Sequence, residues 1–316
     1  MAKPSKSQVQ AAISAIIERE QHEGIAAPIL QINESNRAWI RRNLRNHLDP
    51  VFSEMGLNKD KLEQVITRHQ DEVRHYLKKQ ESKTAKRLST LTKSYEKTWA
   101  NRQAAIKQLT QGFFVSAPLI LDRPNSIFVY PSAMLVEDHI ESGNSWAKLI
   151  WEDSQDVQYK ETSVKFFFAW TNPFNYLVVI NVSADLVVRG QCTLTAFPGL
   201  LFGGWTSLFL TTQLKVHLSG VAIGGHDQEQ GITSFGADTW GSLFGGDKAS
   251  ASEDVFATAS LSLKQVLVGV QQLVIIEISM IAAYHIDNGT VSLIFARDHP
   301  FVACPAVMVD ILAPPP

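Results

Sequence analysis

The feature that most constrains this chain is a change of character near Gly112. Before it the sequence is polar, basic and patterned for helices; after it the sequence is apolar, acidic and patterned for strands. Residues 1–112 hold 20 Lys+Arg against 12 Asp+Glu, a net of +8, and residues 113–316 hold 9 against 19, a net of −10, so the whole-chain charge of −2 conceals two oppositely charged parts. A split of this kind reads as two modules, 1–112 and 113–316, and 316 residues suffice for two cores.

The first module reads as helical. Ser5 and Ser7 offer N-caps for a helix over about 7–23, with Val9, Ala12, Ile13, Ile16 and Ile17 as its apolar stripe and Gly24 as its stop. A second helix follows Ser35, carries Trp39, Ile40, Leu44 and Leu48, and is limited by Pro50; its polar face holds Arg37, Arg41, Arg42 and Arg45. From about 59 to 111 neither Gly nor Pro interrupts the chain. The apolar line there runs Leu62, Ile66, His69, Val73 and then Leu77, a step of four where three is due, and continues through Leu88, Leu91, Tyr95 and Leu109. Such a skip is a discontinuity of the heptad-stutter kind. The line is poor around Glu81 and Thr84, so the helix needs a partner to be stable. Leu62, Ile66, Val73, Leu77, Leu88, Leu91, Tyr95 and Leu109 are therefore the expected oligomer seam.

The second module changes period. Val164, Phe166, Phe168 and Trp170 alternate with Ser163, Lys165 and Phe167, and eight or nine segments rich in Val, Ile, Phe and Thr follow one another without helical spacers. Turn signals separate them, at Asn172-Pro173, Arg189-Gly190, Pro198-Gly199 and Asp287-Asn288-Gly289. The expected fold is a segregated α+β chain: an N-terminal helical bundle or coiled-coil stalk, then an antiparallel β-sandwich or jelly roll. Residues 190–214 hold no charged side chain, a length that could span a bilayer, but their glycines, Pro198 and threonines read better as two buried strands joined by turns. Residues 224–254 read as one long irregular insertion, Gly-rich and acidic, with Phe235, Trp240 and Phe244 as a candidate contact loop.

Chemical motifs are scarce. Glu72 and His75 stand one helical turn apart, as in half of a di-metal bundle site, but they sit beside the apolar line and read as a solvated face. His226-Asp227, Asp138-His139 and Asp298-His299 place an imidazole next to a carboxylate, yet neighbours on a strand point to opposite faces. The segment 143–147 lacks the second glycine of the nucleophile elbow, 236–242 has the P-loop spacing without its lysine, and no C-x-x-C occurs. The reading is accordingly non-enzymatic, with no cofactor and no metal. Cys192 and Cys304 read as buried free thiols, and the N-terminus lacks the apolar core of a Sec signal, which favours cytoplasmic synthesis without classical secretion.

Three functions fit these features. The first is a self-associating structural or adhesive protein, a homo-oligomer whose helices set the assembly state while the sandwich presents a binding face. The second is a membrane-binding or pore-forming, toxin-like protein. The third is a carbohydrate-binding sandwich stacking sugars on Trp240, Trp205 or Trp170. Lys78, Lys79, Lys83, Lys86 and Arg87 add to the basic helices, but the acidic second module repels nucleic acid, and self-association is favoured over it.

Overall fold

The computed structural model of the chain describes residues 5–23, 114–115, 118–154, 158–198, 204–218, 221–239, 248–296 and 301–313. The chain divides into two compact units, Met1–Ile25 with Ile106–Pro316 and Ala26–Ala105, and all described residues belong to the first.

That unit opens with helix α1 (Lys6–Glu23). Ser5 and Gln8 cap its N-terminus reciprocally: the Gln8 N–H donates to Ser5 Oγ at 3.2 Å and the Ser5 N–H to Gln8 Oε1 at 2.9 Å. The strands follow as β1 (Phe114–Val115), β2 (Leu119–Leu121), β3 (Ser126–Tyr130), β4 (Leu135–His139), β5 (Trp146–Asp153), β6 (Gln158–Thr171) and β7 (Val178–Ala196). After them come β8 (Trp205–Leu218), β9 (Val221–Asp238), β10 (Ala249–Val268), β11 (Leu273–Asp287), β12 (Gly289–Phe295), β13 (Val302–Ala303) and β14 (Val307–Ala313).

Every pairing is antiparallel. The five-stranded sheet runs β3-β6-β11-β8-β9. The nine-stranded sheet is organised by β7, which pairs along one edge with β10 and along the other, in succession, with β14, β13 and β12; β5, β4, β2 and β1 lie further out. Alternate residues of the two sheets meet in one core that includes Leu149, Phe166, Phe168, Ile180, Leu186, Leu194, Leu293 and Phe295, all fully buried. Polar groups tie the sheets together: Trp151 Nε1 donates to Tyr284 Oη at 2.7 Å, and that hydroxyl donates to Asp153 at 3.0 Å. Burial pushes the Tyr284 phenol well above its ordinary value.

The antiparallel sandwich of the second module is what its period-two pattern anticipates. The helical half of the expectation is overturned. Strand makes up 71% of the described residues, which contain no helical bundle and no coiled-coil stalk. The apolar stripe of α1 falls where the sequence places it, but Val9, Ile13 and Ile16 bury against Phe167 and Ile275 of the five-stranded sheet, with Ala169 and Leu273 beside them. A helix stripe wide enough to pack on another helix packs equally well on a sheet whose outer face is apolar, and periodicity does not distinguish the two partners. The seam positions Leu62, Ile66, Val73, Leu77, Leu88, Leu91, Tyr95 and Leu109 lie outside the described residues, as do Glu72, His75 and the basic residues 37–45 and 78–87.

A short 3-10 turn (Ser132–Met134) precedes the β4–β5 hairpin. Two strand expectations also change. Residues 224–254 are not one irregular insertion, since 224–238 belong to β9 and 249–254 to β10. Arg189-Gly190 is not a turn but the middle of the 19-residue β7. Gly190 is required there by close approach: a Cβ would overlap the Phe295 ring and the Ile294 carbonyl of β12. The uncharged stretch crosses from β7 in one sheet to β8 in the other, and among the described residues no helix is long and apolar enough to cross a membrane.

Gly190→Val forces the Phe295 ring and the β12 backbone apart. It is expected to lower stability to urea by about 1–3 kcal/mol, and an unchanged midpoint would show that the strands do not approach this closely.

Candidate functional site

Two arrangements of side chains stand out, one buried under α1 and one on the open face of the larger sheet. The first forms because the last turn of α1 places Glu20 over the five-stranded sheet. Odd-numbered residues of β11 point toward the helix, and this places Glu277, fully buried, beside Lys165 of β6 and Lys215 and His217 of β8. Lys165 Nζ lies 3.2 Å from Glu277 Oε1 and also pairs with Glu20. Lys215 Nζ lies 2.7 Å from Glu20 Oε1 and 3.7 Å from Glu277, and His217 Nε2 donates to Glu277 Oε2 at 2.8 Å. Burial alone would raise the Glu277 carboxyl; Lys165 foremost, then the His217 hydrogen bond and Lys215, instead hold it far below the ordinary carboxylate range. Burial opposes the charge on Lys165, but Glu277 and Glu20 outweigh it and raise the ammonium above its usual value.

Glu20, His217 and Glu277 bring three potential ligand atoms within 4.8 Å of one another, the geometry of a cation site. The chemistry does not fit a metal. Two ammonium groups contact the same carboxylates, so a divalent ion would enter against two positive charges already balancing two negative ones. The cluster is an ionic clamp that holds the helix on the sheet.

The second arrangement follows from strand alternation. Even residues of β10 before its bulge at Leu263/Val266, odd residues of β7 and even residues of β5 point away from the core. Across this outer face the register sets Phe256 of β10 opposite Arg189 of β7. The Arg189 N–H donates to the carbonyl of Phe301, just before β13; Ala303 of β13 pairs with Trp146 of β5, and Trp146 with His139 of β4. The side chains make a continuous row. Arg189 Cζ lies 4.5 Å from the Phe256 ring centre and 5.7 Å from that of Phe301. Phe301 and Trp146 are 6.4 Å apart, and Trp146 stacks on His139 at 5.5 Å. Lys148 Nζ sits 4.8 Å from the Trp146 ring and pairs with Glu137 at 2.7 Å. Phe256 is 76% exposed, far more than its apolar ring would be if it served the core.

Beside the row runs a ladder of small polar groups between β7 and β10. Thr193 meets Ser252 at 3.1 Å, Gln191 donates to Asp254 at 3.0 Å, and Ser260 donates to Asp185 at 2.7 Å. His139 also bonds Glu141 at 3.0 Å; this bond first, then that from Asn144, holds the Glu141 carboxyl below its ordinary value.

The structure separates the residues singled out from sequence. Phe235 lies in β9, half-buried and opposite Leu208, whereas Trp240 and Phe244 lie outside the described residues. Trp170 is buried, which removes it as a sugar platform, and half-buried Trp205 packs on His285 at 4.8 Å. His139 pairs with Glu141, not with its neighbour Asp138. Asp298 and His299 lie outside the described residues. Cys192 and Cys304 are free and buried, and burial raises both thiols, Cys192 to about 12. Sequence reasoning missed Arg189, Phe256, Phe301 and Trp146 because they come from four separated segments. The available signal was Phe256 on the polar side of an alternating strand, between Asp254 and Thr258.

No family model matches the sequence, and no curated protein is similar to it. Among solved structures, a carbohydrate-binding module, TmCBM61, in complex with beta-1,4-galactotriose is 11% identical, with 58% of this chain and 92% of that one covered and a TM-score of 0.19. The mannan-recognising module TmCBM27 is 12% identical over 57% of this chain and 97% of its own, with a TM-score of 0.23. A Podospora anserina GH26-CBM35 mannanase is 13% identical over 62% of this chain and 29% of its own, with a TM-score of 0.16. Scores this low do not establish a common fold.

The clamp has a definite pH signature. The folded state depresses the Glu277 carboxyl, so its contribution is complete above the ordinary value of 4.5 and is lost as pH falls below it. The Lys165 ammonium is raised, so its contribution is complete below 10.5 and is lost as pH rises above that value. Melting temperature should therefore fall on acidification from pH 5 to 3, and less steeply in Glu277→Gln, which is itself less stable at pH 7. Equal acid slopes in the two proteins would remove Glu277 from this role. Lys165→Met leaves a buried carboxylate short of a partner and should cost about 3–5 kcal/mol in chemical denaturation; a loss under 1 kcal/mol would contradict the clamp.

Proposed function

We propose that this chain is a non-catalytic binding protein whose nine-stranded sheet takes an extended carbohydrate across its outer face. One observation carries the reading: Phe256, Phe301 and Trp146, with Arg189 and His139 between and beside them, form one row across β10, β7, β13, β5 and β4. Aromatic rings offer flat apolar platforms to the C–H faces of sugar rings, and the adjacent hydroxyl, amide and carboxylate groups offer hydrogen bonds to sugar hydroxyls. Four strand spacings separate β10 from β4, about 19 Å in all, a span suited to an oligosaccharide rather than a single sugar. Phe256, Arg189, Trp146 and His139 stand on paired strands and Phe301 directly precedes one, so the platform is formed before the ligand arrives.

Stacked rings along the row support binding; the His139–Glu141 pair at its end is exposed, and the buried carboxylates under α1 are paired with lysines. Self-association had its warrant in seam positions that lie outside the described residues, and no feature of the described residues favours a homo-oligomer. The sugar reading now has a surface, though a different one from the tryptophans the sequence suggested.

Glycan-array binding followed by calorimetry on the full chain tests this. Phe256→Ala and Trp146→Ala should each weaken binding by about 3–10-fold, with melting temperatures within a degree or two of the parent, because neither ring serves the core. If no glycan on a broad array binds, or if the double variant binds as tightly as the parent, the reading fails.

A further inference from the structure

The guanidinium in the middle of the row has an unusual environment. Phe256 and Phe301 stand against Arg189, at 4.5 and 5.7 Å from Cζ, and Nε is buried without a hydrogen-bond partner. Among the described residues no carboxylate lies within ion-pair distance of it. The nearest acids along this face of the β7–β10 ladder are engaged elsewhere: Asp254, on the adjacent same-face rung, accepts from Gln191 at 3.0 Å, and Asp185, two same-face rungs away on the other side, accepts from Ser260 at 2.7 Å. Elsewhere in the described fold the buried or half-buried lysines Lys148, Lys160, Lys165 and Lys215 each have a carboxylate.

Ring contacts engage the π face of a guanidinium and leave its N–H edge in the plane. That edge is a rigid fork matched to two oxygens of one oxyanion, and such charge-assisted pairs are among the strongest hydrogen bonds available to a protein. Nε is closed off by burial, so recognition of a ligand falls to the terminal Nη groups, and a ligand lacking the oxyanion leaves them without a charge-assisted partner.

We infer that Arg189 is the specificity-determining residue of the row and that it selects acidic glycans, reading an oxyanion on the sugar, a uronate carboxylate in the first instance, while Phe256 and Phe301 hold the guanidinium edge outward. This rests on the proposal that the row binds carbohydrate, and it adds the class of carbohydrate. It also gives the ring contacts a second role beyond stacking: they restrict the side-chain rotamers of Arg189, so that less entropy is lost when the oxyanion docks.

The experiment is calorimetry of the full chain with four oligosaccharides of matched length: an oligogalacturonate, its methyl ester, a sulfated galactan oligomer and a neutral cello-oligomer. The ester keeps the shape of the uronate and removes its charge. The uronate should bind about tenfold or more tighter than its ester. Arg189→Gln should abolish that preference, so that uronate and ester bind this variant equally, and Arg189→Lys, with the charge but not the fork, should restore only part of it. Circular dichroism and melting temperature confirm that each variant is folded. Tighter binding of the sulfated oligomer, lost in Arg189→Gln, would uphold the oxyanion site and name a sulfate ester as its source. Equal affinity for uronate and ester, or an acid preference that survives Arg189→Gln, would overturn the inference while leaving the carbohydrate reading intact. Absence of binding to all four, with an array that is also blank, would instead end the carbohydrate reading itself.

Discussion

Glu277 sets the condition that the surrounding structure has to meet. A carboxylate with no solvent access in the middle of a central strand costs several kcal/mol unless opposite charge and hydrogen bonds are brought to it. Lys165 and Lys215 arrive from the strands on either side and His217 from one of them, and two ammonium groups against one carboxylate would leave an excess of positive charge. Glu20 of α1 cancels it. The helix thus neutralises the sheet as well as covering it, and the apolar contact of Val9, Ile13 and Ile16 with Phe167 and Ile275 fixes the position from which Glu20 can do so. A buried network of this kind contributes more to the uniqueness of the docking than to its depth, since an apolar replacement of similar shape could be as stable.

The two sheets use the same alternation for different ends. In the smaller sheet both faces of β11 are covered at its start, one by the larger sheet and the other by α1, and burial continues along nearly the whole strand. In the larger sheet only the inner face is closed. Its outer face keeps the polar residues expected of a solvated sheet, with a row of rings and cations across the middle. β7 belongs to both descriptions: Ile180, Leu186 and Leu194 build the core, and Asp185, Arg189 and Gln191 build the surface. Gly190 lets β12 approach β7 closely beside the residue that the row depends on.

Much of the fold was legible. The alternating set Val164, Phe166, Phe168 and Trp170 and the apolar stripe of the first helix lie where their patterns put them. The failures have physical causes. Gly-rich composition at 224–238 suggested a loop, but a paired strand tolerates glycine wherever its partner supplies the hydrogen bonds. Arg189-Gly190 suggested a turn, because a glycine needed for close packing and one needed for a turn look alike in sequence. The site was hardly legible at all. Phe256, Arg189, Phe301 and Trp146 are spread over more than 150 positions, and only the register of four strand pairings brings them into line.

By itself, then, the sequence determined local periods: which residues of α1 form an apolar stripe, which residues of β6 alternate, and that the strand-rich half closes as antiparallel sheets. These are local properties, set by side-chain spacing along a backbone of known repeat. Tertiary structure alone decided what each face meets. It laid the helix stripe on a sheet instead of on other helices, surrounded Glu277 with lysines from neighbouring strands, and aligned an arginine with three rings on an open face. Those outcomes depend on register and long-range pairing, in which a shift of one residue would turn every side chain to the opposite side, and no window along the chain contains that information.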